Sequence, residues 1–466
     1  MKNFLFLLLF LTLAPLSNAA SGGWILTTDY GTFGRVRGFL LEAPWSVTGD
    51  LAVIPGDPTG RYHEGLVYVV GRGGADLIQV YDPAAGFSLL REFSIGQGRN
   101  PQDIAFDAGG EAYVSCYDAA VLLKVDVTAG TVLETYDTSS FADADGLPET
   151  AWMLARQGRL YLAAQKLDRN NWYAPTGPGA ILVFDTTVET WVDMDPLAAG
   201  VQPLALVGAD PYTRMEAVDN GTDPWRLRVG CVGFYGVLDG GLEEVDPGAG
   251  VSLGYLVTEQ DLGGDITAFV GSGESVHVLV SDASFITSLR RYDPADDTVA
   301  VLDTGNGYVH ADLAWDGGFQ IFVADRTLGA EGLRVFDAVS GAELTTGALA
   351  TGLPPFQFVM PDFADISGVV TMPGSWLQLS PPWPNPCNPA AELRITGRAA
   401  SRVQVGVYDL RGRRLVQQTV STDGEGRAGF RFDGRDDHGR RLAAGVYRVV
   451  VQDDSGFAAR TVTLLK

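Results

Sequence analysis

Five residues able to act as acids, bases or metal ligands stand at the heads of apolar runs. They are Asp103 in PQDIAF, Glu149 ahead of TAWMLA, Asp265 ahead of ITAFVG, and His310 and Asp312 in HADLAW. Carboxylates gathered around one point with a histidine would suit a divalent cation or acid–base work. A second group is different in kind. The stretch KLDRNNWYAPTGPG, residues 166–179, carries Lys166, Arg169, Trp172 and Tyr173, and comparable stretches carry Tyr117 and Tyr235. Aromatic rings beside charged groups are what recognition surfaces favour, and a sugar ring could stack there. Tyr30, Asp118 and Phe285 fall in similar positions.

What must position these residues is a repeat. An alternating strand ends in aspartate, a turn follows, and another strand begins; the aspartates are Asp82, Asp126, Asp185, Asp246, Asp293 and Asp337. By subtraction the successive separations are 44, 59, 61, 47 and 44 residues, the period of a four-stranded propeller blade. The repeated aspartates are expected to accept hydrogen bonds from the turns that follow them. Ahead of each copy comes a second strand, such as EAYVSCY, and ahead of that a more apolar inner strand. Inner strands are packed on both faces, hence their near-continuous apolar character. They are predicted to begin near Asp50, Asn100, Glu149, Gln202, Asp265, His310 and Pro355.

The two ends supply a seventh unit. Residues 24–47 match strands two to four without an inner strand, and 354–360 are an inner strand with nothing following. Pairing 354–360 with 24–30 closes the ring and removes both open edges. The acids and His310, with Gln202 and Gln357, would then ring the central channel. The aromatic loops join second to third strands on one face. A second insertion, residues 209–226, reads as lying between strands one and two, on the opposite face. The units, best seen in GEAYVSCYDAAVLLKVDVTAGTVL, resemble the YVTN-type propeller repeat family over about residues 24–360. That resemblance implies an architecture and no particular activity.

Around this ring the chain shows a different organisation. Residues 1–19 read as a signal peptide: Lys2, the apolar run FLFLLLFLTLAPL, then small residues at Ser17 and Ala19. Residues 20–365 form the propeller and 366–384 a linker. From 385 to 466 a smaller set of alternating strands predicts an antiparallel sandwich. The elements PNPCNP, VYDLRGRR and FDGRDDHGRRLAAGVY, with a terminal strand ending in LLK, resemble the FlgD-type immunoglobulin-like domain. Such domains also serve as C-terminal sorting modules of the type IX secretion system. Cys387 stands where that family usually has an aromatic residue. The fold class is therefore all-β: a seven-bladed propeller followed by an immunoglobulin-like sandwich.

The formal net charge of −24 repels phosphate backbones, so nucleic acid is not an expected partner. No later segment is long and apolar enough for a membrane span, so none is expected in the mature protein. Cys116, Cys231 and Cys387 do not make a disulfide framework or a metal motif. With four histidines in the chain, and only His310 well placed, a His-rich metal site is excluded. There is no nucleophile elbow, phosphate loop or dinucleotide fingerprint. No cofactor is expected, Ca²⁺ being the ion that the channel acids, or Asp433, Asp436 and Asp437, would take. The sequence thus favours a secreted or cell-surface binding protein, with an extracellular protein or polysaccharide as partner and the secretion machinery engaged by the C-terminal domain. The alternative is a propeller hydrolase or lyase using channel carboxylates with a divalent metal. Convergence of three or more of Asp103, Glu149, Asp265, His310 and Asp312 on one point would favour that alternative.

Overall fold

The computed structural model describes residues 22–41, 43, 45–218, 225–272, 275–361, 378–380, 382–409, 414–453 and 456–465. The signal-peptide segment lies outside these residues. Among the described residues, seven antiparallel sheets of four or five strands succeed one another from residue 22 to 359 in a β-propeller-like arrangement. Sheet 2 is the plainest: Pro58–His63, Leu66–Gly71, Leu77–Asp82 and Ser88–Ser94, in that order from the axis outward. Sheets 3, 4, 5, 6 and 7 begin with inner strands at Pro101, Thr150, Glu216, Asp265 and His310. Sheet 1 contains Gly22–Thr28, Phe33–Leu40 and Val47–Pro55, and takes Pro355–Val359 as its inner strand. Trp24 lies opposite Val359, Ile25 opposite Phe358 and Leu26 opposite Gln357.

Period-two alternation explains the ring. Along Gly22–Thr28, Ile25 packs with Phe322 and Val335 of sheet 7, while its neighbour Leu26 packs with Val67 and Val69 of sheet 2. The same division repeats at every seam, so that each adjacent pair of sheets shares one apolar cluster, and sheet 7 shares one with sheet 1. Each repeat aspartate caps its turn. Asp126 Oδ1 accepts from the Thr128 and Ala129 amides at 2.8 Å each, and Asp82, Asp185, Asp246 and Asp337 act likewise on two amides.

Two inner strands fall elsewhere than the sequence predicts. Residues near Asp50 form the outer strand of sheet 1, where Arg35 and Arg37 pair with Asp50, and the inner strand of sheet 2 begins at Pro58. The apolar run around Gln202 is likewise an outer element. Leu204–Ala205 pairs with Ala180–Asp185 of sheet 4, and the inner strand of sheet 5 is Glu216–Val218. Alternate side chains of an outer strand still face the neighbouring sheet, so Ile54 and Leu204 are buried while Val53 and Ala205 are exposed, and an apolar run can stand there too.

The C-terminal module is a sandwich of two sheets. One holds Gln378–Leu379, Ala391–Thr396 and Arg427–Phe432; the other holds Arg402–Asp409, Arg414–Ser421, Gly445–Asp453 and Gly456–Leu464. Leu393, Val405, Phe430 and Val449 meet in its core. The strand at 378–379 pairs with Ile395 and Thr396, so the sandwich begins inside the segment expected to be linker and not at 385. Cys387 is fully buried and its backbone bonds to Thr463 and Leu465, which ties the entry segment to the last strand.

Candidate functional site

Among the described residues the inner-strand acids do not gather into one metal-ligating group. Asp103 and Asp312 serve their own seams instead. Asp103 Oδ2 accepts from the Met153 amide of the next inner strand at 2.9 Å and from Arg61 at 2.6 Å. Asp312 Oδ2 accepts from the Phe358 amide at 2.8 Å and from Arg214 at 3.3 Å. Gln357 continues the pattern by accepting from the Gly60 amide at 2.7 Å. These side chains clasp neighbouring inner strands where the pairing register shifts. His310 is buried, its Nε2 3.0 Å from Asp303 in the seam between sheets 6 and 7. Burial alone would raise the Asp303 carboxyl; hydrogen bonds from His310 and Arg334 outweigh it and hold the group well below its usual range. Gln202 is also away from the channel, bonding to Asp193 and Ala199.

Glu149 is fully buried with Arg169 beside it: Nε of Arg169 lies 3.0 Å from its carboxylate. Burial pushes the Glu149 carboxyl up to about 7, against the lowering effect of Arg169 and the Leu167 amide. Asp143 and Asp145 stand close enough to Glu149 to share one ion, but Arg169, 3.9 Å from Asp145, already supplies positive charge there. The turn acids of the C-terminal module are similarly engaged. Asp433 accepts from the Arg435 amide, Asp436 from His438 and Arg440, and Asp437 from Gln417.

The aromatic loops behave differently. Tyr117, Trp172, Tyr173 and Tyr235 line one pocket of about 360 Å³, joined by Gln165, Asp210, Tyr212 and Phe234. Three consecutive sheets contribute: 3 through Tyr117, 4 through residues 165–173, 5 through 210–212 and 232–235. Asp210 and Tyr212 precede the inner strand of sheet 5, so their segment joins an outer to an inner strand and emerges on the same face as the aromatic loops. The expectation that residues 209–226 point to the opposite face came from misplacing that inner strand, and for Asp210 and Tyr212 it is corrected here. Residues 219–224 lie outside the described residues.

Arg169 and Lys166 do not line the pocket. Arg169 is a strut. Its guanidinium donates to Asp118 at 2.7 Å, to Glu149 and to the Tyr117 carbonyl at 2.7 Å, and lies 5.2 Å from the Tyr117 ring centre. Lys166 is partly buried and its carbonyl accepts from the Thr176 amide, closing the base of the loop. Asp265 supports the opposite wall by accepting from the Gly236 amide at 2.9 Å.

The loop backbone is under strain. Trp172 and Tyr173 both sit at φ 57° and Asp210 at φ 49°, left-handed conformations that non-glycine residues rarely adopt. Each such residue costs on the order of 1–3 kcal/mol. Trp172 stands out in solvent, 93% exposed, with Tyr173, Tyr212 and Phe234 also exposed. Close approach fixes the two loops: Gly179 donates to the Gly208 carbonyl at 2.8 Å, and a Cβ on Gly179 would collide with Pro211. At the floor, Asp210 is 9% exposed and accepts from the Gln165 amide at 2.7 Å; burial pushes its carboxyl up to about 7. Sequence reasoning missed Gln165, Asp210, Tyr212 and Phe234. The signal that could have found the middle pair was Glu216–Val218 as the true inner strand.

Comparison with known proteins bears on both parts of the chain. Residues 390–456 match the FlgD Ig-like domain. No curated protein matches the chain in sequence. Among solved structures, PorZ, a surface component of the type-IX secretion system of Porphyromonas gingivalis, is 16% identical at a TM-score of 0.45 over 93% of this chain. This chain spans 64% of that protein. A Desulfotomaculum acetoxidans protein of unknown function is 12% identical at a TM-score of 0.47, over 73% of this chain and 100% of its own. The extracellular domain of BT4673 from B. thetaiotaomicron is 11% identical at 0.40, over 92% of this chain and 61% of its own. Among the described residues no helix is long and apolar enough to cross a membrane.

Proposed function

We propose that this is an exported, surface-associated propeller of seven YVTN-type blades that binds an extracellular partner through the aromatic pocket between sheets 3, 4 and 5. The observation that carries the reading is the strained Trp172-Tyr173 pair, held exposed over a pocket with four further aromatic rings. Left-handed residues also stand in other loops of this fold, as at Tyr30 and Phe285, and two in succession beside a pocket support a functional reading. Exposed rings gathered from three sheets form the kind of anchor patch that binding sites use. The FlgD-like module serves as the export and attachment device, and the lysine-headed apolar segment at residues 2–16 as the entry signal.

The reading of the inner-strand acids as a metal-assisted catalytic centre has less support, because Asp103, Asp312 and Glu149 already hold an arginine each. Binding is tested with the full mature chain against extracellular proteins and a glycan array, beside a Trp172→Ala/Tyr173→Ala variant. Retained capture by the variant overturns the pocket. Cell fractionation of a chain lacking residues 378–466 tests the module, which predicts loss of surface delivery.

A further inference from the structure

We infer that the pocket receives an alkylammonium group, with Asp210 as its counter-ion and the surrounding rings as its walls. The inference rests on reading the pocket as a binding site and names what chemistry it takes. Its first support is an imbalance of charge. The pocket lining holds one acid and no lysine or arginine. Elsewhere the buried acids have a cation or a backbone donor: Asp103, Asp312 and Glu149 face Arg61, Arg214 and Arg169, while Glu243, Glu259 and Asp265 accept from backbone amides. Asp210 is as buried as Asp312 yet, among the described residues, its carboxylate has only the Gln165 amide. A buried carboxylate without a cation is costly, and a ligand that brings one removes that cost.

The second support is the wall. Tyr117, Trp172, Tyr173, Tyr212, Phe234 and Tyr235 surround the space, and ring faces attract ammonium groups within about 6 Å of their centres. One ring of this wall already takes a cation from the chain itself: Arg169 lies 5.2 Å from the centre of Tyr117. An anion would meet Asp210 and a net charge of −24. A neutral sugar could stack but would leave the carboxylate uncompensated. The volume, about 360 Å³, lies in the range of small-ligand pockets, about 300–1,000 Å³.

The pH dependence has a definite sign. Burial raises the Asp210 carboxyl to about 7 in the free protein, and a bound cation favours its ionised form. Binding therefore releases a proton near neutrality and weakens as pH falls below about 7.

Calorimetry on the full mature chain tests this with choline against its neutral isostere 3,3-dimethylbutan-1-ol. A doubly capped lysine peptide stands for a side-chain source of the same ammonium group, and the tighter of the two cations identifies the source. Choline or the peptide is expected to bind at least about tenfold more tightly than the neutral isostere. Asp210→Asn should erase that preference and the pH dependence; asparagine tolerates the left-handed backbone at this position. Trp172→Ala should weaken either cation and so locate the binding. Should Asp210→Asn fail to fold, the isostere comparison and the wild-type pH profile carry the test alone. Equal affinity for charged and neutral probes, or a cation preference surviving in Asp210→Asn, overturns the inference. A neutral glycan bound in a Trp172-dependent way, with no cation bound, refutes the ammonium and keeps the site. Absence of Trp172-dependent binding by any probe refutes both.

Discussion

Replacing Arg169 with methionine separates the strut of the pocket from its wall. The guanidinium holds Asp118, buried Glu149 and the Tyr117 carbonyl at 2.7, 3.0 and 2.7 Å, and it is 23% exposed. Two losses follow, with different pH dependence. Lost hydrogen bonds and the stacking on Tyr117 cost about 1 kcal/mol at any pH. The remainder depends on Glu149. Its carboxyl is raised from 4.5 to about 7 in the folded chain, so the stability tied to its protonation is complete below about 4.5 and lost as pH rises through 7. Without Arg169, which lowers it, the folded value moves higher still, and ionisation above pH 7 leaves a buried charge unpaired. Breaking a buried pair costs about 3–5 kcal/mol where the charge persists, but here protonation of Glu149 caps the added loss at ~1.4 kcal/mol per pH unit above about 7, roughly 2 kcal/mol at pH 8.5. Urea unfolding of the propeller, followed by tryptophan fluorescence, should therefore show a penalty of about 1 kcal/mol at pH 5.5. At pH 8.5 it should reach about 3 kcal/mol. An equal penalty at both pH values would refute the assignment of Glu149 as the group Arg169 compensates.

Three further substitutions probe the same architecture. Trp172→Gly relieves a left-handed residue that is almost wholly exposed, so the midpoint of thermal unfolding should rise, by about 1 kcal/mol of stability, while ligand capture is lost. Gly179→Val drives a side chain into Pro211; calorimetric scanning should show about 1–3 kcal/mol of destabilisation, and the pocket should lose its ligand because the two loops part. Phe358→Ala, in the inner strand that closes the ring, removes contacts with Phe39 and Phe322 from a residue 1% exposed. Denaturant unfolding should show a loss of about 3–5 kcal/mol, and a loss below 1 kcal/mol would mean that Pro355–Val359 is not part of the ring's core.

Much of the ring was legible because its constraints are local. The repeat aspartates announce turns through their own side-chain chemistry, and their spacing counts sheets without reference to anything distant. Closure was legible for a related reason: residues 24–47 lack an inner strand and 354–360 lack partners, so each end states what it is missing. The two misplaced inner strands mark where local reading stops. LAVIP after Asp50 and PLALVG after Gln202 are as apolar as a true inner strand, since Leu204 and Leu206 are buried against sheet 5 from the outer side of sheet 4. Hydrophobicity carries no sign that separates axis from rim.

The same limit explains which part of the site could be read. Trp172, Tyr173, Tyr117 and Tyr235 stand in loops between well-marked strands, so their face followed from strand order. Asp210 and Tyr212 depend on the location of one three-residue strand, and moving that strand by a dozen residues carries them from one face of the propeller to the other. Arg169 shows the converse: its type fitted a contact surface, but charge type alone cannot distinguish a side chain that meets a ligand from one that neutralises a buried neighbour. What decides is the inventory of partners. Arg169 faces Glu149, Asp118 and a carbonyl and has little left to offer, whereas Asp210 faces one amide and six rings. In a fold that otherwise gives its buried acids a cation or a backbone donor, Asp210 has neither among the described residues, and a partner from outside fills that place.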